Sequence, residues 1–162
     1  MNKTVRVSLI VMIAVGLLLA LTISGLAKKP DTFHLEYVFP EVNWEIFYAE
    51  GTFDLEVFDG RTTSGDAFVH WIPRLSSVGT GLPVKQGTMT FIDGDADRAV
   101  VRFSMSKIEA NFCVSGHFDI LYGQGTGKYE NLDGGGDILM CRPDWGPLVE
   151  GELNGWAQGL NP

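Results

Sequence analysis

The chain predicts an all-β fold: an eight-stranded antiparallel closed β-barrel preceded by an N-terminal hydrophobic helix. Three observations carry this expectation. Beyond Lys29-Pro30, short runs of alternating apolar residues are separated by Gly, Asp and Pro. Glycines at 51, 87, 116 and 155 fall inside those runs, where a strand that coils sharply to close a barrel needs them. Before residue 28 the pattern differs, because the 21 residues Val7 to Ala27 carry no charge.

Residues 1–29 read as a signal peptide or signal-anchor helix. Lys3 and Arg6 form a short positive region, Leu9 to Leu21 is densely apolar, and Gly25 and Ala27 offer the small residues a signal peptidase inspects. About 20 apolar residues also span a hydrocarbon core, so a retained anchor stays open beside cleavage. Lys28 and Lys29 balance Lys3 and Arg6, so charge does not decide the orientation. Either reading places residues 30–162 outside the cytoplasm, secreted or held at the cell membrane.

The strands follow in order. Phe53, Leu55 and Val57 alternate with Thr52, Asp54 and Glu56, up to the turn dipeptide Asp59-Gly60. Ala67, Val69 and Trp71 alternate with Asp66, Phe68 and His70 before Pro73, and a Ser-, Gly- and Pro-rich loop runs to Pro83. Gly87, Met89 and Phe91 precede the turn Asp93–Asp97, and Ala99, Val101, Phe103 and Met105 follow it. Centred on Asp95, residue 91 faces 99 and 89 faces 101, so both apolar sets share one face. A slip of one residue would expose them all. Phe112, Val114, Gly116, Phe118, Ile120 and Tyr122 continue the inward parity, and Ile138 and Met140 return it across the next turn. Val149, Gly151, Leu153 and Gly155 form the last strand. One apolar face per strand demands a sandwich or a barrel, and an eight-stranded barrel leaves room for side chains or one small ligand.

The 162 residues, 45% hydrophobic and 20% charged, fit one domain and exclude disorder. The net charge is −8, and residues 28–162 keep ten Lys and Arg against all twenty acids, a net −10. Such a surface repels phosphate backbones and disfavours nucleic acid as a partner. Cys113 and Cys141 are the two cysteines, equidistant from residue 127 in the turn Gly125-Thr-Gly127. A hairpin folded there sets them opposite one another, and export makes a disulfide the favoured state.

The stretch Gly123-Gln-Gly-Thr-Gly-Lys-Tyr-Glu-Asn-Leu-Asp-Gly-Gly-Gly136 resembles the glycine turn of the allene oxide cyclase-like and dirigent-like barrels, which include small exported members of unknown function. The matched residues are Gly125, Thr126, Gly127, Tyr129, Gly134 and Gly136. The resemblance implies an eight-stranded barrel, dimeric or trimeric, whose cavity handles an apolar or phenolic molecule. The charged cluster of the plant cyclases is not reproduced in His34–Trp44, so Glu36 stands in a comparable place as an isolated catalytic candidate.

Chemistry is sparse elsewhere. His34, His70 and His117 show no metal-ligand spacing, and His117 faces Asp137 as a cross-strand pair. Asp93, Asp95 and Asp97 superficially resemble a calcium loop, but Arg98 stands where glycine is needed and Ser104 where glutamate is needed. No metal and no cofactor are expected. Trp44, Tyr122 and Trp145 are the ligand-binding candidates, with Trp156, Tyr48 and Tyr129 also near strand ends and Arg74 and Arg142 as polar anchors. An aromatic at a barrel mouth supplies apolar area and a donor, or simply plugs the end. The first expectation is therefore a binding module for a small apolar or aromatic ligand. An isomerase or cyclase steering a substrate with a buried carboxylate such as Glu36 is the alternative. A third reading is an oligomerising envelope protein joined through an outer patch around Ile46, Tyr48, Phe58 and Phe68.

Overall fold

In the computed structural model, residues 30–57, 59–73, 84–143 and 146–159 are described. The expected leader or anchor at 1–29 lies outside them, as do Phe58, Arg74 and Trp145. Eight antiparallel strands form a closed barrel in sequence order: β1 Asp31–Asn43, β2 Tyr48–Val57, β3 Thr62–Pro73, β4 Val84–Asp93, β5 Arg98–Ile108, β6 Cys113–Ile120, β7 Asp133–Cys141 and β8 Val149–Gln158. β8 pairs back onto β1, Leu153 opposite Leu35, so no strand edge is left unpaired. Barrel closure and the buried core both lie within residues 31–158.

The alternation determines the wall. Phe91 faces Ala99 and Met89 faces Val101, as the turn centred on Asp95 predicts. Leu35, Tyr37, Phe53, Ala67, Val69, Trp71, Met89, Phe103, Phe118, Ile138 and Leu153 are buried inside. Glu36, Glu50, Asp54, Glu56, Asp66, Arg102, Asp119 and Asp137 face out and are exposed. Charge outside and hydrocarbon inside is the reverse of a membrane-spanning barrel, whose outer wall is apolar. Among the described residues no helix is long and apolar enough to cross a membrane, and Gly127–Tyr129 forms a 3-10 turn.

The cylinder closes where the strands bend. Register shifts occur in β1 between Val38 and Glu41, and in β5 between Met105 and Lys107. Beside each lies a strand glycine, Gly51 and Gly116. A Cβ at either would collide with a neighbouring carbonyl, of Val38 or of Ser104. Two expected inward residues are corrected here. β6 runs only from Cys113 to Ile120, so Phe112 and Tyr122 sit in the flanking turns and are exposed. Cys113 pairs with Cys141 in register, and a disulfide joins them on the outer wall.

Candidate functional site

Antiparallel order gives the barrel two ends of different construction. The entry end is where the chain enters β1 at Asp31; it also carries the β2–β3, β4–β5 and β6–β7 connections. The far end carries the other four, β1–β2, β3–β4, β5–β6 and β7–β8.

The far end is filled. Trp71 is fully buried, Trp44 of the β1–β2 turn stacks on it with centroids 5.8 Å apart, and the Arg142 guanidinium lies 5.0 Å from the Trp44 centroid. Phe39 meets Trp71 edge-on at 6.3 Å. Trp44 therefore serves as a plug, the second of the two roles open to it, and Arg142 donates from Nε to the Gly146 carbonyl at 2.7 Å.

The entry end holds a half-open cavity of about 60 Å³. Phe33, Leu35, Phe53, Leu55, Val57 and Phe91 line it from one side. From the other come Ala99, Val101, Ile120, Leu132, Leu153, Ala157 and the Tyr129 ring, with Asp31 at the rim. A water needs about 10–15 Å³ and two or more polar partners, so this space has the volume for a small guest and the lining of a dry one.

The cavity's cap is the β6–β7 connection, and polar contacts tie it to the β4–β5 turn. Thr126 donates its N–H to the Arg98 carbonyl at 2.8 Å while the Arg98 N–H donates to Thr126 Oγ1 at 3.0 Å. Gly127 sits at φ 58° with its Cα against the Asp97 carboxylate, where no side chain fits, and the Lys128 N–H donates to Asp97 Oδ2 at 3.2 Å.

Asp93 anchors the arrangement. It ends β4 with inward parity, and its side chain is 1% exposed. Oδ1 accepts the N–H groups of Asp95 and Asp97 at 3.0 and 3.1 Å; Oδ2 accepts the Tyr129 hydroxyl at 3.0 Å and the Lys128 ammonium at 2.5 Å. Burial pushes the Asp93 carboxyl up, but these four donors outweigh it and hold it below the ordinary value. The hydrogen bond to Asp93 raises Lys128, and burial together with that carboxylate raises Tyr129, so ion pair and phenol persist across the physiological range. The calcium-like aspartates are thus occupied from within, by an ammonium and backbone donors. Among the described residues no cluster of three or more His, Cys, Asp or Glu is placed to hold a metal ion.

The other candidates do not converge. Glu36 stands on the outer wall with its side chain 70% exposed, 3.4 Å from His34 Nε2, and is absent from the cavity lining. Tyr122 is 67% exposed in the cap and is not part of the cavity lining, while Trp44 belongs to the opposite end. Gly134 and Gly136 lie in β7 against Ala157 and Gly155. On the outer wall Ile46 is exposed, but Tyr48 and Phe68 are half-buried and flank Glu50, which accepts the Tyr48 hydroxyl at 2.8 Å. Glu50 thus places a charge between Tyr48 and Phe68, while Ile46 lies in the β1–β2 turn and Phe58 lies outside the described residues.

The residues that sequence reasoning missed are Lys128 and the anchoring role of Asp93. A signal existed: Asp93 continues the inward series 87, 89, 91, and a carboxylate on an apolar face requires a cation or several donors. Comparison with protein-family models, curated proteins and solved structures finds no match for this chain.

Proposed function

We propose that this chain is a non-catalytic binding module whose barrel, of the allene oxide cyclase-like and dirigent-like kind, holds a small apolar or aromatic molecule in the entry-end cavity. The module is exported, either secreted or tethered through residues 7–27. The disulfide is compatible with that location. The observation that carries the reading is the half-open cavity lined by hydrocarbon beneath a polar-locked cap. A packed barrel would bring in side chains to fill such a space, since each unfilled volume forfeits dispersion contacts. A guest restores them and removes its own apolar surface from water.

Chemistry inside is minimal. The groups on the lining that can ionise are Asp31, at the rim and 3.3 Å from Arg61 Nη2, and Tyr129, whose hydroxyl is committed to Asp93. The cyclase alternative was built on Glu36, which faces solvent, so binding without turnover is the reading we favour.

Titration of the purified domain with straight-chain 1-alkanols, followed by methyl NMR, tests it. We expect saturable shifts at Val101, Ile120, Leu132 and Leu153, with affinity rising by about 0.8 kcal/mol, roughly fourfold, per methylene until the space is full. Ala99→Leu fills the cavity, so it abolishes the shifts without lowering the melting temperature. Shifts that do not saturate, or that survive in Ala99→Leu, overturn the reading.

A further inference from the structure

We propose that the cavity draws its guest from a lipid bilayer: the barrel's open mouth is the end held against the membrane, and the guest is an uncharged lipid-soluble molecule of which only the terminus enters. This rests on the binding reading above and adds the source, orientation and charge class of the ligand.

Four observations meet at one end of the barrel. The cavity-lining residues Asp31, Val57 and Ala157 lie at the start of β1 and the ends of β2 and β8, which places the cavity at the entry end. The chain enters β1 at that same rim, and only Lys28, Lys29 and Pro30 separate Asp31 from the uncharged run Val7–Ala27. Four Cα steps reach at most about 14 Å, so a run of 21 residues retained in a bilayer holds the mouth close to its surface. Two large aromatics are exposed there as well, Tyr122 of the cap and Trp156 of β8, the latter 42% exposed opposite Thr32. Tyr and Trp, apolar with one polar atom, are the side chains favoured at a headgroup boundary.

The ligand class follows from size and charge. A cavity of about 60 Å³ is far below the roughly 300–1,000 Å³ that encloses a drug-sized ligand. It accepts a chain end or a single ring, and the half-open mouth lets the remainder stay in hydrocarbon. The charged side chain on the lining, Asp31, is paired with Arg61 at 3.3 Å and the rest is hydrocarbon, so an ionic headgroup drawn into the cavity would lose its hydration with no counter-charge to replace it. With a net −12 over residues 30–162 the barrel domain has no electrostatic attraction to anionic lipid, and the N-terminal run supplies the proximity that the surface does not.

The test places the full chain in phosphatidylcholine nanodiscs carrying a headgroup nitroxide. Expected is selective broadening of Tyr122, Trp156 and Asp31, with Ile108 and Phe112 at the far end unaffected. Uniform broadening, far-end broadening or none overturns the proposal, as does intact mass showing that the membrane-recovered protein begins near Lys28. In the same nanodiscs 1-decanol shifts the cavity methyls at least tenfold more effectively than decanoate; equal or reversed preference overturns the charge class. A 20-residue Gly-Ser insertion between Pro30 and Asp31 frees the entry end, so nitroxide broadening falls severalfold while 1-octanol binding in free solution is unchanged; broadening that the insertion does not alter overturns the tether argument. If the domain 30–162 binds 1-octanol in solution but the full chain fails the nitroxide test, bilayer capture falls and binding stands. If it binds no alkanol at all, both fall.

Discussion

At the far end of the barrel the axis is occupied by Phe39, Trp71 and Trp44 in contact, with Arg142 over the outermost ring. At the entry end Phe33, Phe53 and Phe91 stand among the shorter Leu35, Leu55, Val57, Ala99, Val101, Leu153 and Ala157, and a cavity of about 60 Å³ remains between them. Cap residues Tyr129 and Leu132 cover the opening without filling it. Both ends exclude water with the same eight strands, so the difference comes from side-chain volume along the axis. At the far end ring contact fills the axis; at the entry end Phe53 and Phe91 also meet edge to face at 5.2 Å, and a polar lock around Asp93 holds a cap over the space that remains. Among the described residues the buried Trp71 indole N–H has no hydrogen-bond partner.

Four substitutions sharpen that contrast. Trp71→Ala removes the largest buried side chain of the filled end and should cost about 3–5 kcal/mol in chemical denaturation. A loss below 1 kcal/mol would mean that the ring stack is not the stabilising element. Replacing Cys113 and Cys141 together by Ser opens a loop with sequence separation 28 and should cost about 3 kcal/mol, with alkanol binding at the opposite end retained. Tyr129→Phe leaves Asp93 one donor short and should cost about 1–2 kcal/mol, with faster amide exchange across 121–132 than in the ring stack; protection that changes equally at both ends would dissolve the distinction.

The smallest effect is on pH dependence. His34 on the outer wall is raised above the usual imidazole value, chiefly by its 2.7 Å hydrogen bond to Asn154, opposed by partial burial and supported by Glu36 and Glu152. A raised folded value stabilises below the unfolded one and fades as pH climbs through the folded one. The melting-temperature advantage over His34→Gln should therefore be present near pH 5.5 and gone by about pH 8. Asp93 runs the other way. Its lowered carboxyl contributes above the ordinary Asp value and is lost below it, so Asp93→Asn should lose its penalty in strong acid, with the cap loosening first.

Much of the wall could be read in advance because hairpin register is local arithmetic. Residues equidistant from a turn face one another, which is how Phe91 meets Ala99, His117 meets Asp137 at 2.8 Å, and Cys113 meets Cys141 across a twelve-residue connection. The bulges beside Gly51 and Gly116 were not so legible, since a register shift depends on how sharply the closed sheet must coil. The site was less legible still. Glu36, Trp44 and Tyr122 were chosen by residue type and nearness to strand ends, and neither property says which end is open or which way a turn residue points. Glu36 proved to alternate with buried Leu35 and Tyr37, a parity that the sequence already contained.

From the sequence alone came what depends on neighbours along one chain segment: the strand count, the inward and outward faces, the cysteine pair and the acidic exterior. These follow from the two-residue period of an extended chain and from the turns that end it. Tertiary structure alone decided that Trp71 and Trp44 seal one end, that Lys128 and Tyr129 reach Asp93 across 35 and 36 positions, and that the side chains meeting at the other end leave a cavity. Those outcomes depend on which side chains from strands far apart in sequence meet on a common axis, and that is settled only when β8 closes onto β1.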